Sequence, residues 1–263
     1  MNMNINLFRK LSVIISTLAA IVVNGLAVAL PLNGQNTGAI SDQFKVFFVP
    51  AGYVFSIWGI IYIGMIAYSI FQFLPAQANN PRLQAAGWWF TLSSIANGTW
   101  IFLWHYNQFP ATLVVMAILL VSLIMVYLNL GVGRQKVSAA ERWAAWLPVS
   151  IYLAWVSVAT IANATEVFDY LGWKGAPLDP QVWAVIMLAV ALVVGALMAA
   201  RHGDSAYLGV FVWSFIGIAV KQAGYPLVAN AAWVAAGAAL LLALAAPFLR
   251  RQKLALQPAR STK

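Results

Sequence analysis

Four side chains lie along one face of the most informative stretch of the chain, residues 148–163. Spacings of 3, 4 and 4 residues put them on the same side of a helix: Tyr152, Trp155, Ala159 and Asn163. The two rings can stack on a flat molecule, the alanine leaves room for close approach, and the asparagine amide can both donate and accept a hydrogen bond. No charged residue occurs from Trp143 through Thr165, so the stretch is apolar enough to lie in a bilayer. We therefore predict that this face lines a pocket inside a membrane helix bundle.

Two earlier stretches carry chemically similar groups. Pro50 suits the first turn of a helix, where its missing N–H is not needed, and a soft aromatic face follows it, formed by Phe55, Trp58, Tyr62 and Met65. Further along, Asn97 and Trp100 place an amide and an indole on one side of another helix. Aromatic residues at helical spacing are usually core, and a buried asparagine can join two helices through a bond worth about 0.6 kcal/mol. Each of these stretches alone is open to a structural or a ligand-binding interpretation.

The composition is that of a membrane protein. Hydrophobic residues make up 63% of the 263 residues and charged residues 8%, against about 45–50% and about 25% in soluble domains. The formal charge of +9 does not indicate nucleic-acid binding, because five of the fifteen basic residues lie in a short C-terminal tail and no basic face alternates with aromatic residues. The absence of cysteine excludes disulfides and thiolate metal sites. We predict an all-α, polytopic membrane bundle with no nucleic-acid partner.

Eight apolar runs are long enough to cross a hydrocarbon core about 30 Å thick. They are Leu11–Leu32, Phe47–Leu74, Leu83–Trp104, Pro110–Leu130, Trp143–Val167, Val182–Ala200, Ala206–Gln222 and Leu227–Leu249. The basic pair before the first run also fits a signal peptide, but that run exceeds the roughly 7–15 apolar residues of such a segment. We expect the first helix to be retained.

The positive-inside rule tests this count independently. With both termini in the cytoplasm, twelve basic residues fall inside, namely Arg9, Lys10, Arg82, Arg134, Lys136, Arg142, Arg201 and the tail residues Arg250, Arg251, Lys253, Arg260 and Lys263. Three fall outside, namely Lys45, Lys174 and Lys221. Omitting one helix would scramble this partition. We expect an integral protein of a bacterial inner (plasma) membrane with cytoplasmic N- and C-termini.

Three motifs, in the second, third and fifth predicted helices, together resemble the tryptophan-rich sensory protein family, also called the translocator (TspO/MBR) or peripheral benzodiazepine receptor family. The second helix carries the family spacing in Pro50, Trp58, Tyr62 and Met65. The third carries Asn-x-x-Trp in Asn97 and Trp100. The fifth carries Tyr-Leu-Ala-Trp-x-x-x-Ala-Thr-x-x-Asn, unbroken from Tyr152 to Asn163. The resemblance covers roughly residues 11–170.

This resemblance implies a five-helix bundle over residues 1–170 whose interior, closed by the loop between the first two helices, binds tetrapyrroles, sterols or aromatic drugs. It also implies a homodimer. Residues 171–263 then add three membrane helices and a basic cytoplasmic tail. The ligand-binding residues that we predict are Phe47, Pro50, Trp58, Tyr62, Asn97, Trp100, Tyr152, Trp155, Ala159 and Asn163.

The chain departs from the family pattern at the start of the second helix. Where the family has Trp-x-Pro-Pro, this chain has Phe47, Phe48, Val49 and Pro50. The change keeps an aromatic ring but loses an indole N–H and one proline. Ile66 stands where the family has the glycine that follows its methionine. The identity of the ligand is left open by these changes.

These patterns favour a receptor, sensor or carrier for a flat hydrophobic molecule, either a porphyrin-type tetrapyrrole or a sterol-like compound. The alternatives are a light- or ligand-dependent porphyrin-modifying enzyme and a passive small-molecule transporter. The predicted spans contain no paired carboxylates and no Ser–His arrangement, so we name no catalytic residue and favour binding over catalysis. Ion-coupled transport is disfavoured, because such proteins usually place several ionisable residues inside the membrane.

No cofactor is obligatory in this interpretation, although a bound porphyrin or haem is compatible with it. We predict no metal site, since His105 and His202 fall in loops on opposite faces, and a surface position is the simpler expectation for His105. Lys221 is expected near the outer boundary, where a lysine can extend its ammonium to water. Ala191, Gly195 and Ala199 form a ridge of small residues suited to helix packing within the chain or to dimerisation. The expected partners are a hydrophobic small molecule, the lipid bilayer and a second copy of the chain.

Overall fold

The computed structural model describes the backbone of residues 3–256 and the side chains of residues 5–249. In this part of the chain, the regular elements are helices. Eight of these helices are long: α1 (Met3–Ala29), α3 (Ile57–Phe71), α4 (Pro81–His105), α5 (Phe109–Leu130), α7 (Leu147–Tyr170), α8 (Pro180–His202), α9 (Ser205–Lys221) and α10 (Pro226–Leu256). Two are short, namely α2 (Thr37–Ser41) and α6 (Ala139–Glu141). Three single 3-10 turns cover Leu32–Gly34, Gly52–Ser56 and Pro75–Gln77, and a π turn covers Arg142–Trp146.

Six segments of the described chain are long and apolar enough to cross a membrane: Ile5–Ala29, Gly52–Phe71, Phe109–Leu130, Ala139–Tyr170, Pro180–His202 and Pro226–Leu249. The other two long helices, α4 and α9, are not among these six segments, for different reasons. In α4, polar side chains such as Ser93, Ser94 and Asn97 lower the hydropathy, but they are buried against other helices. The apolar α9 has 17 residues, about 25 Å at 1.5 Å per residue. The chain is an integral membrane protein with an all-α, polytopic bundle, as predicted.

Local sequence explains where these helices begin and end. Proline occupies the first turn of α4, α5, α7 and α8, where its missing N–H is not needed. Asp179 and Asp204 cap α8 and α9, and their carboxylates accept backbone N–H bonds of 2.7 and 3.1 Å. Gly131 and Gly203 end α5 and α8 in the left-handed conformation, with φ of 66° and 61°.

Five of the long helices form a closed ring, in which α1 packs on α4, α4 on α5, α5 on α7, α7 on α3 and α3 on α1. Residues 32–42, called the lid below, run across one end of this ring and contain α2. The helices α8, α9 and α10 pack on each other, and α9 joins them to α7 and to the turn at Gly52–Ser56. The small-residue ridge of α8 serves this packing, because a Cβ atom added at Gly195 would lie 3.1 Å from Leu208 of α9.

The second predicted helix begins later than expected. Its helical part starts with the turn at Gly52, and residues 47–51 lie outside any helix. This segment is tied to α9 by its backbone: the Ala51 N–H donates to the Gly217 carbonyl at 3.0 Å, and Gln222 Nε2 donates to the Phe47 carbonyl at 3.1 Å. The prediction that Pro50 occupies a first helical turn was therefore wrong, because the backbone bonds of this segment go to another helix.

Two basic or titratable residues lie deeper than the sequence indicated. Arg9 was expected to flank the first span, but α1 begins at Met3 and Arg9 is buried within it, donating to the Leu83 carbonyl at 2.9 Å and to Gln72 Oε1 at 3.3 Å. His105 was expected at the surface and is fully buried beneath the lid. The side chains of the basic C-terminal tail lie outside the described residues.

Candidate functional site

A cavity of about 390 Å³ lies inside the five-helix ring, next to the lid. Helices α1, α3, α4, α5 and α7 all contribute to its wall, together with the lid and the turn at Gly52–Ser56. The lining side chains are Asn24, Val28, Asn36, Thr37, Phe55, Trp58, Tyr62, Asn97, Trp100, Ile101, Met116, Leu119, Trp155, Val156 and Ala159, with Gly25, Gly38 and Gly52. Its volume falls within the roughly 300–1,000 Å³ range of small-molecule sites.

Aromatic rings dominate this wall. Trp58 stacks on Tyr62 with ring centroids 5.4 Å apart and lies edge-on to Trp155 at 6.3 Å. Phe55 meets Trp155 edge-on at 5.6 Å. On the opposite side of the ring, Trp100 stacks on Trp104 at 5.1 Å. A flat molecule placed between these groups would meet indole rings from three different helices.

The mouth of the cavity is marked by lining residues that are themselves exposed. Gly25 and Val28 of α1, Asn36 of the lid and Gly52 are all exposed. A Cβ atom added at Gly25 or Gly52 would have nothing within 4 Å. The opening therefore lies between the last turns of α1, the lid and the start of the Gly52–Ser56 turn.

The amide of Asn97 bonds to both of its neighbouring helices α1 and α7. Its Oδ1 accepts from Asn24 Nδ2 at 2.7 Å, and its Nδ2 donates to the Tyr152 hydroxyl at 2.8 Å. Asn24 donates with the same group to the Ala20 carbonyl. This chain of bonds joins α1, α4 and α7 at the cavity wall.

Asn163 is held in a similar way. Its Oδ1 accepts from Trp100 Nε1 at 3.3 Å, and its Nδ2 donates to Thr112 Oγ1 at 3.0 Å. The bonds join α7 to α4 and α5, and they fix the orientation of the Trp100 indole. By contrast, the buried Nε1 of Trp155 has no hydrogen-bond partner among the described residues.

A smaller extension of about 50 Å³ adjoins the main cavity and shares part of its wall, including Thr37, Phe55, Trp100 and Trp155. It runs toward the end of α7 and is lined in addition by Ser41, Pro50, Trp104, Asn163 and Glu166.

Glu166 is 4% exposed and accepts a bond from Ser41 Oγ at 2.5 Å. The sequence pattern did not single out Glu166, which directly follows the uncharged run. A carboxylate one turn beyond Asn163 on the same helix was the signal that could have found it.

The lid is fixed at several points over the cavity. His105 lies with its Nε2 2.9 Å from Thr37 Oγ1 and its Nδ1 3.1 Å from the Leu32 carbonyl. Trp104 Nε1 donates to the Thr37 carbonyl at 3.2 Å. At the other end of the lid, Asp42 pairs with Lys221 of α9 at 2.7 Å. Both ring nitrogens of His105 thus face lid atoms rather than the cavity.

The structure brings together most of the residues that we predicted for the pocket. Those on the main cavity are Trp58, Tyr62, Asn97, Trp100, Trp155 and Ala159, and those on the extension include Pro50 and Asn163. Tyr152 does not line the cavity, because its hydroxyl is turned to Asn97 and its ring is buried behind the wall. Phe47 does not line it either, because the extended segment directs it into a separate outer cleft, where it meets Tyr225 at 4.8 Å.

Comparison with protein families gives a match to the model described as TSPO-like protein over residues 10–245. The chain belongs to the TSPO-like protein family. The family match continues past residue 170, where the sequence motifs ended, and includes α8, α9 and most of α10. Comparisons with curated proteins and with solved structures gave no match. For this TSPO-like chain, the matched family region includes most of the five-helix ring and most of the three further helices.

Proposed function

We propose that this TSPO-like membrane protein binds a flat, hydrophobic small molecule in the cavity of the five-helix ring, as a receptor, sensor or carrier. The observation that carries the proposal is the convergence of Trp58, Trp100 and Trp155, from three helices, on one space of about 390 Å³. Rings that only filled the bundle interior would pack against each other and leave no such space. A tetrapyrrole or a sterol-like molecule has the required flat, apolar surface.

Two further features support binding with controlled access. The unpartnered indole N–H of Trp155 is a donor that a ligand acceptor could satisfy, and a buried donor without a partner costs about 1–3 kcal/mol. The mouth beside Gly25 and Gly52 opens next to the lid, so movement of the lid would widen it. A receptor, a sensor and a carrier all require such an opening.

Titration of the purified protein with protoporphyrin IX, followed through the absorbance of the porphyrin, tests the proposal. This signal does not depend on the tryptophans that are changed. The double variant Trp58→Ala and Trp155→Ala should bind at least about tenfold more weakly, because two large stacking surfaces are lost. Trp88→Ala is the matched control, since Trp88 is exposed, lies outside the cavity and packs on Phe8. Equal affinity in the wild type, the double variant and the control would contradict the cavity as the binding site.

A parallel titration with cholesterol separates the two ligand classes. A sterol has the flat shape of a tetrapyrrole ring system but lacks its aromatic face, so it depends on apolar contact rather than on ring stacking. Tighter binding of the porphyrin, with a larger loss in the double variant, would favour a tetrapyrrole ligand. The opposite order would favour a sterol.

A further inference from the structure

Glu166 is a buried acidic group on the wall of the cavity, and the proposed function leaves it without a role. It lies in the last part of α7, within the apolar segment Ala139–Tyr170. Its only hydrogen bond among the described residues is the one that Ser41 Oγ donates to Oε1. Over the same part of the chain, its Oε2 atom has no hydrogen-bond partner. A carboxyl group held within a membrane-spanning segment is costly and usually functional.

The surroundings of Glu166 suit a positive charge. The extension is lined by four aromatic residues, Phe55, Trp100, Trp104 and Trp155, and the faces of such rings attract cations. No lysine, arginine or histidine is among the described residues that line the cavity or its extension. Lys221 lies within electrostatic reach of Glu166, but its ammonium is bound to Asp42 at 2.7 Å. Glu166 is therefore the one Asp, Glu, Lys, Arg or His side chain that a molecule in this cavity would meet along the described wall.

The size of the extension indicates which part of a ligand would reach the carboxyl group. Its volume of about 50 Å³ exceeds the roughly 10–15 Å³ that a cavity needs to hold one water. It therefore has room for a small polar head but not for a ring system. The flat apolar body of the same molecule would occupy the main cavity, which the extension adjoins through the shared wall residues.

We propose that Glu166 makes this cavity selective for a flat aromatic molecule that carries a protonated nitrogen, which enters the extension and bonds to the free carboxyl oxygen. The inference rests on the proposed function, since it assumes that the cavity binds a flat ligand. It specifies in addition that this ligand carries a positive charge. A nitrogen cation would form a charge-assisted hydrogen bond with Glu166 and contact the indole faces at the same time. A ligand with a carboxylate at this end would be repelled.

Binding of two dyes of similar shape to the full-length protein in detergent tests the inference. One is 9-aminoacridine, which is a cation at neutral pH, and the other is 9-aminoanthracene, its uncharged counterpart. The wild type should bind the cation more tightly. Glu166→Gln keeps the shape of the side chain and an acceptor for Ser41, and it should weaken cation binding by about tenfold to a hundredfold while leaving the neutral dye within about twofold.

Two further variants separate selectivity from a purely structural role. Asp169→Asn makes the same change in charge on the same helix, but Asp169 faces the outer cleft and pairs with Lys174, so it should leave both dyes unaffected. Ser41→Ala removes the bond from the lid and keeps the carboxyl group, so it should preserve the preference for the cation. If Glu166 only fastened the lid, Ser41→Ala and Glu166→Gln would change both dyes alike, and the inference would be overturned.

The outcomes also distinguish this inference from the proposed function. Equal affinity of the two dyes for the wild type, unchanged in Glu166→Gln, would overturn the charge selectivity and leave the cavity as a binding site. Failure of both dyes and of protoporphyrin IX to bind the wild type would overturn the proposed function, and the inference with it. If Glu166→Gln bound neither dye but kept its thermal stability, Glu166 would be needed for ligand binding without selecting for charge. This outcome would also contradict the inference.

Discussion

Asn97 stands at a point where α1, α4 and α7 meet, and its amide is bonded to a side chain on each of the other two helices. The partners are Asn24 and Tyr152, at 2.7 and 2.8 Å. A lipid environment offers no water to replace these bonds, so a buried amide needs partners within the protein. Asn97 therefore holds the three helices at a fixed separation behind the cavity wall, and this structural role is compatible with its place on that wall.

Asn97→Leu should destabilise the protein by about 1–2 kcal/mol. Two interhelical bonds are lost, each worth about 0.6 kcal/mol on average in membrane proteins, and Asn24 and Tyr152 each lose a partner. Equilibrium unfolding with increasing SDS in mixed micelles measures the loss. Thr99→Val is the matched control, because Thr99 is exposed on the same helix and bonds only to the Ile95 carbonyl one turn earlier. Equal stability of Asn97→Leu and the control would contradict the role in helix association.

The lid and α9 are connected although they are far apart in sequence. Asp42 at the end of the lid pairs with Lys221 at the end of α9. The two side chains are 66% and 28% exposed, so the pair is partly solvated. Pairs of this kind are worth about 0–1 kcal/mol. Through this pair, the group formed by α8, α9 and α10 holds the lid in place only weakly.

Lys221→Met should speed the dissociation of a bound ligand by up to about fivefold, because a contribution of 1 kcal/mol to lid closure corresponds to that factor. Stopped-flow measurement of porphyrin release gives the rate. Lys174→Met serves as the control, since Lys174 pairs with Asp169 of α7 and not with a lid residue. Exchanging the two charges, with Asp42→Lys and Lys221→Asp together, should restore the slower rate. Release that is equally slow in Lys221→Met and the wild type would show that the pair does not restrain the lid.

Much of this arrangement follows from local sequence. The apolar runs predicted where the long helices lie. Helices α8 and α9 begin and end within two residues of the predicted spans, and α10 begins one residue before its span but continues to Leu256. The helical spacing of Trp155, Ala159 and Asn163 also predicted correctly that they share one side of α7, since all three line the cavity or its extension. Periodicity is a property of one helix, so a single helix suffices to predict it.

Other features depend on partners distant in sequence, and no local pattern predicts them. The role of Glu166 depends on Ser41, 125 residues earlier, and the role of Asn24 depends on Asn97, 73 residues later. Phe47 is directed away from the cavity because the backbone of its segment bonds to α9. His105 is buried because the lid, rather than water, covers the end of α4. These positions are set by long-range packing.

For the whole molecule, the two ends of the helix bundle differ in charge. The end near the lid carries Lys45, Lys174 and Lys221, and the last two are paired with Asp169 and Asp42. The opposite end carries Lys10, Arg82, Arg134, Lys136, Arg142 and Arg201, and of these Arg82 pairs with Glu141 at 2.7 Å. Excess positive charge on one side of a membrane protein marks the cytoplasmic side. The lid and the cavity mouth are therefore expected to face the opposite side.

Single cysteines placed at the two ends test this orientation. The natural chain has no cysteine, so each introduced thiol is the only one present. Lys45→Cys lies beside the lid and Lys136→Cys between α5 and α6, and both positions are exposed. A maleimide that cannot cross membranes should label Lys45→Cys in intact cells and Lys136→Cys only after permeabilisation. The reverse pattern would invert the protein and place the mouth at the cytoplasm. Labelling of both from one side would contradict the expectation that α3, α4 and α5 each cross the membrane between these two positions, because an odd number of crossings must separate the two ends.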